Sequence, residues 1–309
     1  MGTTALNASE WIWKDGEFIR WDDARVHILS TAVQFGSSIF EGVRAYETED
    51  GPAIFRIDAH LRRFHDSARI YRMPLEWSVE ELTQAAVEPI RKNGLSSCYI
   101  RPMSLWGYGS ASMDPVDSSF ETYVCTWAWG EYLGEGAMEK GVSACVSSWQ
   151  RAHPNTFPSA AKAAGHYNNS QLIRMEALAN GYDEGIALSP SGLVSEGSGQ
   201  NLFLVRDGVV VTPHLDGTSL AGITRASVFD LCDDLGYEVR EADVPRETLY
   251  TCDEMFFCGT ATEVTPITSV DRIEIGEGTI GPVTKAIQTR FLDTVHGRAE
   301  DTRGWLTPV

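Results

Sequence analysis

Three Asp-Gly turns constrain this chain more than any other feature. Asp15-Gly16, Asp50-Gly51 and Asp207-Gly208 each separate two strand-like runs: residues 11–13 and 18–20, 38–46 and 53–56, 202–205 and 209–212. An Asp-Gly pair readily takes the left-handed backbone that a tight hairpin needs, so each predicts an antiparallel strand pair. Hairpins in both halves argue against a doubly wound parallel sheet, where each strand is followed by a crossover helix. Helix signals are interspersed irregularly with these hairpins, and the expected class is α+β.

Asp58 is expected to cap a helix through about residue 71. Ser78 and Glu81 have capping-box spacing, and Asn93-Gly94 closes that helix. Further helices are predicted over 166–180 and 223–235, closed by Gly181 and Gly236, and from Pro282 onward. Residues 98–106, 120–127, 142–149 and 186–188 read as strands. The run from Trp129 to Gly136 turns to glycine and acid, which marks a linker. The predicted organisation is a small domain over 1–128, a linker over 129–137 and a larger domain over 138–309.

Composition removes several functions. A net charge of -18 argues against a nucleic-acid ligand, which requires clustered Lys and Arg, and against an anionic membrane surface. Residues 1–10 hold neither a basic nor an apolar signal region, and no apolar stretch is long enough to span a bilayer. The six cysteines form no C-x-x-C pair and sit in apolar runs, as reduced core residues of a cytoplasmic protein do. The histidines lack metal-binding spacing, so no metal is expected. Neither a dinucleotide fingerprint nor a P-loop occurs.

With only five lysines, each can be weighed. Lys14 lies in a turn, Lys92 at a helix end, Lys140 before a glycine and Lys285 on the last helix. Lys162 differs, flanked by Ser159-Ala160-Ala161 and Ala163-Ala164-Gly165. Small neighbours leave room for a planar ligand, and an amine in apolar surroundings becomes a nucleophile more easily. Tyr167, five residues on, offers a phenol. Glu196, in Ser195-Glu196-Gly197, offers a carboxylate beside glycines that permit close backbone approach. Gly222-Ile223-Thr224 opens a helix whose N–H groups suit a phosphate, and Gly259-Thr260-Ala261 offers a second anion cradle. Arg63 can supply a full positive charge. Taken singly, each has an ordinary reading: a loop lysine, a half-buried tyrosine, a solvated turn, a common helix start, a surface arginine.

Taken together and in this order, the residues resemble bacterial branched-chain aminotransferases, the class IV, fold-type IV enzymes that use pyridoxal 5′-phosphate. The resemblance runs from Trp11 to Trp305. It includes Phe40-Glu41-Gly42-Val43-Arg44, Tyr99-Ile100-Arg101-Pro102, Ala160-Ala161-Lys162-Ala163, Gly222-Ile223-Thr224-Arg225 and Gly259-Thr260-Ala261. It implies a small N-terminal α+β domain, a larger C-terminal pseudo-barrel domain with the cofactor between them, and a homodimer. It implies Lys162 as the Schiff-base lysine that shuttles a proton between Cα and C4′. Glu196 would face the pyridine nitrogen and Tyr167 the O3′ oxygen. Arg63, Ile223, Thr224 and Thr260 would form the phosphate cup, with Leu220 and Gly222 also at the cofactor. Tyr99 and Thr260-Ala261 would take the substrate's α-carboxylate, and Arg101 the side-chain carboxylate of glutamate. Phe40, Gly42, Trp129 and Tyr132 would shape the aliphatic pocket, with Phe35 and Arg44 also on the substrate side. The substrates implied are L-leucine, L-isoleucine and L-valine with 2-oxoglutarate.

Three positions depart from the pattern. Phe35 stands where relatives often carry a Tyr, Gln200 where a Glu is usual, and Ala111-Ser112-Met113 in a loop that normally reads apolar-Gly-Val and reaches the partner's pocket. The same fold also serves D-amino-acid and (R)-amine transaminases and aminodeoxychorismate lyases. Gly42 and the Tyr99-x-Arg101 pair favour the branched-chain type. A non-catalytic cofactor-binding protein would have no need for Lys162, Tyr167 and Glu196 together.

Overall fold

The computed structural model describes residues 6–130, 133, 134 and 136–309, which fall into two compact units. Tyr132 lies outside the described residues. One unit, here the N-terminal unit, comprises residues 6–130, 161–166 and 294–309. The other, the C-terminal unit, comprises the described residues of 133–160 together with 167–293.

The N-terminal unit opens with the first Asp-Gly hairpin, β1 (Trp11–Lys14) and β2 (Glu17–Arg20). A short helix α1 (Thr31–Phe35), which the sequence reading missed, follows, capped by Ser30 and closed by left-handed Gly36. The run predicted as one strand over 38–46 is two, β3 (Ser38–Phe40) and β4 (Val43–Thr48), because Glu41-Gly42 breaks it. Next come β5 (Gly51–Phe55), α2 (Ile57–Ile70), α3 (Val79–Asn93), β6 (Cys98–Trp106) and β7 (Phe120–Ala128). Ser78 and Glu81 form the expected capping box, and left-handed Gly94 ends α3. Asp58 does not cap α2. Left-handed Arg56 occupies the N-cap, which leaves Asp58 inside the first turn, where its charge suits the helix dipole.

The C-terminal unit holds α4 (Ala137–Lys140), β8 (Val142–Val146), α5 (Tyr167–Ala179), β9 (Glu184–Leu188), β10 (Val194–Gly197), β11 (Asn201–Arg206) and β12 (Val209–Pro213). It continues through α6 (Ile223–Leu235), β13 (Val239–Ala242), β14 (Glu254–Gly259), β15 (Glu263–Val270), β16 (Ile273–Glu274) and α7 (Pro282–Val295). A last strand, β17 (Leu306–Pro308), pairs with β5 in the N-terminal sheet.

Each unit is built on one sheet. The N-terminal order is β17-β5-β4-β6-β7-β1-β2, with β3 also on β6; the C-terminal order is β10-β9-β8-β15-β14-β11-β12-β13, with β16 on β15. Pairing is mostly antiparallel, with parallel contacts at β8–β9, β8–β15 and β12–β13, and the class is α+β as expected. All six cysteines are free thiols, five of them buried. Among the described residues no helix is long and apolar enough to cross a membrane, and no group of His, Cys, Asp or Glu is placed to hold a metal.

The core of the N-terminal unit contains a charged cluster. Ile57, His60, Leu61, Phe64, Ser67 and Ala68 form the buried stripe of α2, at the 3–4 residue spacing of one helix face. That places His60 against Glu41, whose side chain is fully buried where β3 gives way to β4. Arg63 holds the Glu41 carboxylate with two nitrogens, Nε to Oε1 at 2.7 Å and Nη2 to Oε2 at 2.8 Å. His60 Nδ1 lies 2.7 Å from Oε2, and the Gly42 N–H donates to Oε2 at 3.2 Å. Burial pushes the Glu41 carboxyl up, but the Arg63 and His60 contacts outweigh it and hold it well below the usual carboxylate range. Burial pushes His60 down despite Glu41's pull, with help from the Arg63 and Lys162 charges. His60 is therefore neutral at pH 7 and donates its Nδ1 proton to Glu41.

Both groups bind protons less readily folded than unfolded, so the stability they contribute is present at neutral pH. It is lost as pH falls, for His60 from about its unfolded value of 6.5 and for Glu41 from about 4.5. The denaturation midpoint is expected to decline in two limbs below those values. His60→Gln should flatten the limb just below pH 6.5 relative to the parent. Parallel profiles for parent and variant over that limb would refute the assignment.

Candidate active site

Lys162 belongs to a six-residue segment, 161–166, that sits in the N-terminal unit although its sequence neighbours on both sides belong to the other unit. The segment is tied down along its backbone. Phe40 N–H donates to Lys162 O at 3.0 Å, Lys162 N–H donates to Ser67 Oγ at 3.0 Å, and Ala163 bridges Ile39. Tyr71 Oη lies 2.8 Å from His166 Nε2. Gly165 lies against Gly36, so close that a Cβ on Gly36 would come within 3.2 Å of the Gly165 Cα. The small residues around Lys162 thus serve close chain packing. Lys162 Nζ is 5.0 Å from the centroid of the Phe40 ring.

Arg63 belongs to the same unit, its orientation set by Glu41. Gly42, next to Glu41, permits a second close approach. A Cβ there would fall 1.9 Å from the Tyr99 hydroxyl, so only glycine leaves the phenol its place. Tyr99 packs against Trp127 and Trp129, with ring centroids at 5.0 and 4.7 Å. Arg101, two residues along β6, has its guanidinium carbon 4.6 Å from the Phe40 centroid and 5.2 Å from that of Tyr99. Arg44 lies opposite Tyr99 in the β4–β6 register, its guanidinium 4.7 Å from the Tyr46 ring. Phe35 ends α1 and is 44% exposed.

In the C-terminal unit, Glu196 on β10 is held from three directions. Arg151 Nη2 is 3.2 Å from Oε1, Asn201 Nδ2 donates to Oε2 at 3.3 Å, and the Leu220 N–H donates to Oε2 at 3.2 Å. Arg151 and Asn201 escaped the sequence reading. Arg151 is buried and also donates to the carbonyls of Gly197 and Ser198 and to Asn169 and Ser170, so it gathers β10, its following turn and α5 around one guanidinium. Asn201 Nδ2 further donates to Leu220 O at 3.0 Å, while a Cβ on Gly222 would fall 2.0 Å from Asn201 Oδ1. Asn201 therefore fixes Glu196 relative to the start of α6. Gly222 is the N-cap of α6 and supplies no side-chain cap, and Ile223 and Thr224 form its first turn. Thr260 and Ala261 lie in the turn between β14 and β15, and Tyr167 is the first residue of α5.

Gln200 also has a structural reason. Its Nε2 donates at 2.6 Å to the fully buried carboxylate of Glu184, which Arg174 and the Gly185 N–H also contact, and its Oε1 accepts from Gly199 N–H at 2.8 Å. A carboxylate at position 200 would face that of Glu184 at hydrogen-bond distance, and one of the two would have to be protonated.

Known proteins share this fold and much of this sequence. The family model described as amino-transferase class IV matches residues 38–270. The branched-chain-amino-acid aminotransferase of Escherichia coli K12 is 49% identical over 302 residues, 97% of this chain and 98% of that protein. A crystal structure of the E. coli branched-chain amino acid aminotransferase superimposes with a TM-score of 0.95 at 49% identity, over 97% of this chain and 99% of the other. The branched-chain amino acid aminotransferase of Thermobaculum terrenum, solved in its PLP-bound holo form, gives 0.89 at 36% identity, over 97% of this chain and 98% of the other. The chain therefore belongs to the class IV aminotransferases.

Proposed function

We propose that the protein is a branched-chain-amino-acid aminotransferase that uses pyridoxal 5′-phosphate to exchange the amino group between L-leucine, L-isoleucine or L-valine and 2-oxoglutarate. One observation carries the choice within the class. The Tyr99 phenol occupies the space that a side chain at position 42 would fill, and Arg101 lies on the same strand face among aromatic rings. Such a pocket has apolar walls for a branched side chain and a cation for a second carboxylate.

The donor set suits the cofactor. Lys162 supplies a primary amine, Glu196 a carboxylate anchored by three donors, Tyr167 a phenol, and α6 a helix start without a side-chain cap. Lys162 would attach the cofactor covalently, Glu196 would meet its ring nitrogen and Tyr167 its ring hydroxyl. Arg63, Leu220, Gly222, Ile223, Thr224 and Thr260 would hold the phosphate end. When bound, the cofactor supplies a protonated ring that accepts the electron pair released at the substrate's α-carbon. Lys162 Nζ would take and return the proton at that carbon. Tyr99 and Thr260-Ala261 would bind the α-carboxylate. Phe40, Gly42, Trp129 and Tyr132 would shape the side-chain pocket, with Arg44 and Phe35 also on the substrate side. Arg101 would receive the carboxylate of glutamate or 2-oxoglutarate.

A cytoplasmic homodimer is part of the same reading. Ile28, Leu29, Val33 and Phe35 around α1 and Tyr108, Met113 and Val116 in the β6–β7 loop are exposed apolar residues. They lie on adjoining segments, with Thr31 N–H donating to Gly107 O at 3.0 Å and the His27 and Tyr108 rings 4.3 Å apart. Apolar surface of this kind is normally covered by another subunit.

A half-reaction screen tests the function. L-Leucine, L-isoleucine and L-valine should each convert the holoenzyme, and D-alanine and (R)-1-phenylethylamine should not; the reverse pattern would assign the chain to another activity of the class. Lys162→Ala should abolish transamination and the pH-dependent visible band of a cofactor linked to the lysine, so a fully active variant would remove Lys162 from the scheme. Arg101→Ala should raise KM for 2-oxoglutarate by roughly tenfold or more, as expected for loss of a charged hydrogen bond, and leave the leucine half-reaction nearly unchanged. Equal losses in both would place Arg101 at the common α-carboxylate or in a structural role.

A further inference from the structure

Two donors without acceptors lie on one face of the N-terminal sheet. In the β6–β7 register Tyr99 lies opposite Trp127 and Arg101 opposite Cys125, which makes Arg101 and Trp127 diagonal neighbours on the same face. The Arg101 guanidinium carbon is 5.7 Å from the centroid of the Trp127 ring, as well as 4.6 Å from Phe40 and 5.2 Å from Tyr99. Arg101 Nε is buried with no hydrogen-bond partner among the described residues. Trp127 is 7% exposed, and its indole Nε1 is likewise buried with no partner. An N–H in that position has lost water and gained nothing, a cost that one well-placed acceptor removes.

The chemistry of the cluster narrows the ligand. It presents a cation and N–H donors among ring faces and, at Arg101 Nε and Trp127 Nε1, no acceptor. An anion with two acceptor oxygens and a flat shape suits it, which describes a carboxylate. Trp127 is buried, and a bond made away from water is the stronger for it. Phe35 has no group that can donate to such a carboxylate.

We infer that Trp127 determines specificity for the acidic substrate: its indole N–H, together with Arg101, receives the side-chain carboxylate of the dicarboxylic 2-oxo acid and takes the part for which Phe35 lacks a donor. The inference rests on the assignment of Arg101 made above. An indole that only walled the pocket would serve apolar and acidic side chains alike.

Trp127→Phe keeps an aromatic wall and removes the N–H. In steady-state assays of the holoenzyme, KM for 2-oxoglutarate should rise roughly tenfold, while KM for 4-methyl-2-oxopentanoate, whose side chain is uncharged, should change less than about twofold. Equal shifts for the two oxo acids, or a shift in neither, would overturn the inference. Arg101→Ala run in parallel separates it from its premise. If that variant is selective for 2-oxoglutarate and Trp127→Phe is not, the Trp127 role falls and the Arg101 role stands; if neither is selective, both fall. A readout on the unaltered holoenzyme does not depend on the activity of any variant. Among the indole signals of the nine tryptophans in the ¹⁵N-labelled protein, one, identified by its absence from Trp127→Phe or Trp127→Tyr, should move on addition of glutarate and stay in place with 4-methylpentanoate. Should no indole signal respond selectively to glutarate, the N–H contact does not exist.

Discussion

The carboxylate of Glu41 is the most constrained charge in the N-terminal unit. A fully buried carboxylate is tolerable only where donors surround it, and Arg63, His60 and the Gly42 N–H do so. Three features of the unit follow from that requirement. The chain must turn inward at Glu41-Gly42, which divides β3 from β4. Arg63 must present its Nε and Nη2 to Glu41, which fixes the plane of its guanidinium. Ser67, one turn further along α2, accepts the N–H of Lys162 while its hydroxyl donates to Arg63 O, so the lysine's backbone is referred to the same helix.

The C-terminal unit solves a related problem differently. Glu196 is only partly buried, and its supports come from a loop arginine, the first residue of β11 and a backbone amide ahead of α6. Asn201 is the hinge of the set, because one amide group reaches both Glu196 and Leu220 O. The glycine at position 222 is required by this contact and not by backbone conformation, since its φ of -69° is open to any residue. Gln200, next in the chain, satisfies Glu184 beneath the same turn, so a position that departs from the family pattern is still fully used.

Local signals in the sequence proved legible. The Ser78–Glu81 capping box, the glycine closures of α3 and α6 and all three Asp-Gly hairpins depend on residues within a few positions of one another. What could not be read depends on distant partners. Asp58 looks like a helix cap until Arg56 adopts a left-handed conformation, its N–H donating to the carbonyl of Trp305 at the far end of the chain. The strand over 38–46 reads as continuous because nothing nearby reveals that Glu41 will find His60 and Arg63. Arg151 sits in an ordinary loop sequence, and its importance appears only once β10 and α5 are folded beside it. Trp127 resembled any strand aromatic, because an N–H left without an acceptor is a property of the packed structure and not of the residue.

The ring faces around Arg101 bear on how the proposed pocket would alternate between unlike guests. A guanidinium held by a carboxylate would have to release that partner each time an acidic side chain arrived and recover it each time an aliphatic one did. Quadrupoles of Phe40, Tyr99 and Trp127 soften the charge without occupying its in-plane donor edge. In the proposed pocket an aliphatic chain would rest on the hydrocarbon faces while the cation stays partly compensated, and a carboxylate would dock on the guanidinium edge. If Arg101 receives the acidic side chain as proposed, such an arrangement would let either guest bind without first breaking an ion pair to the guanidinium.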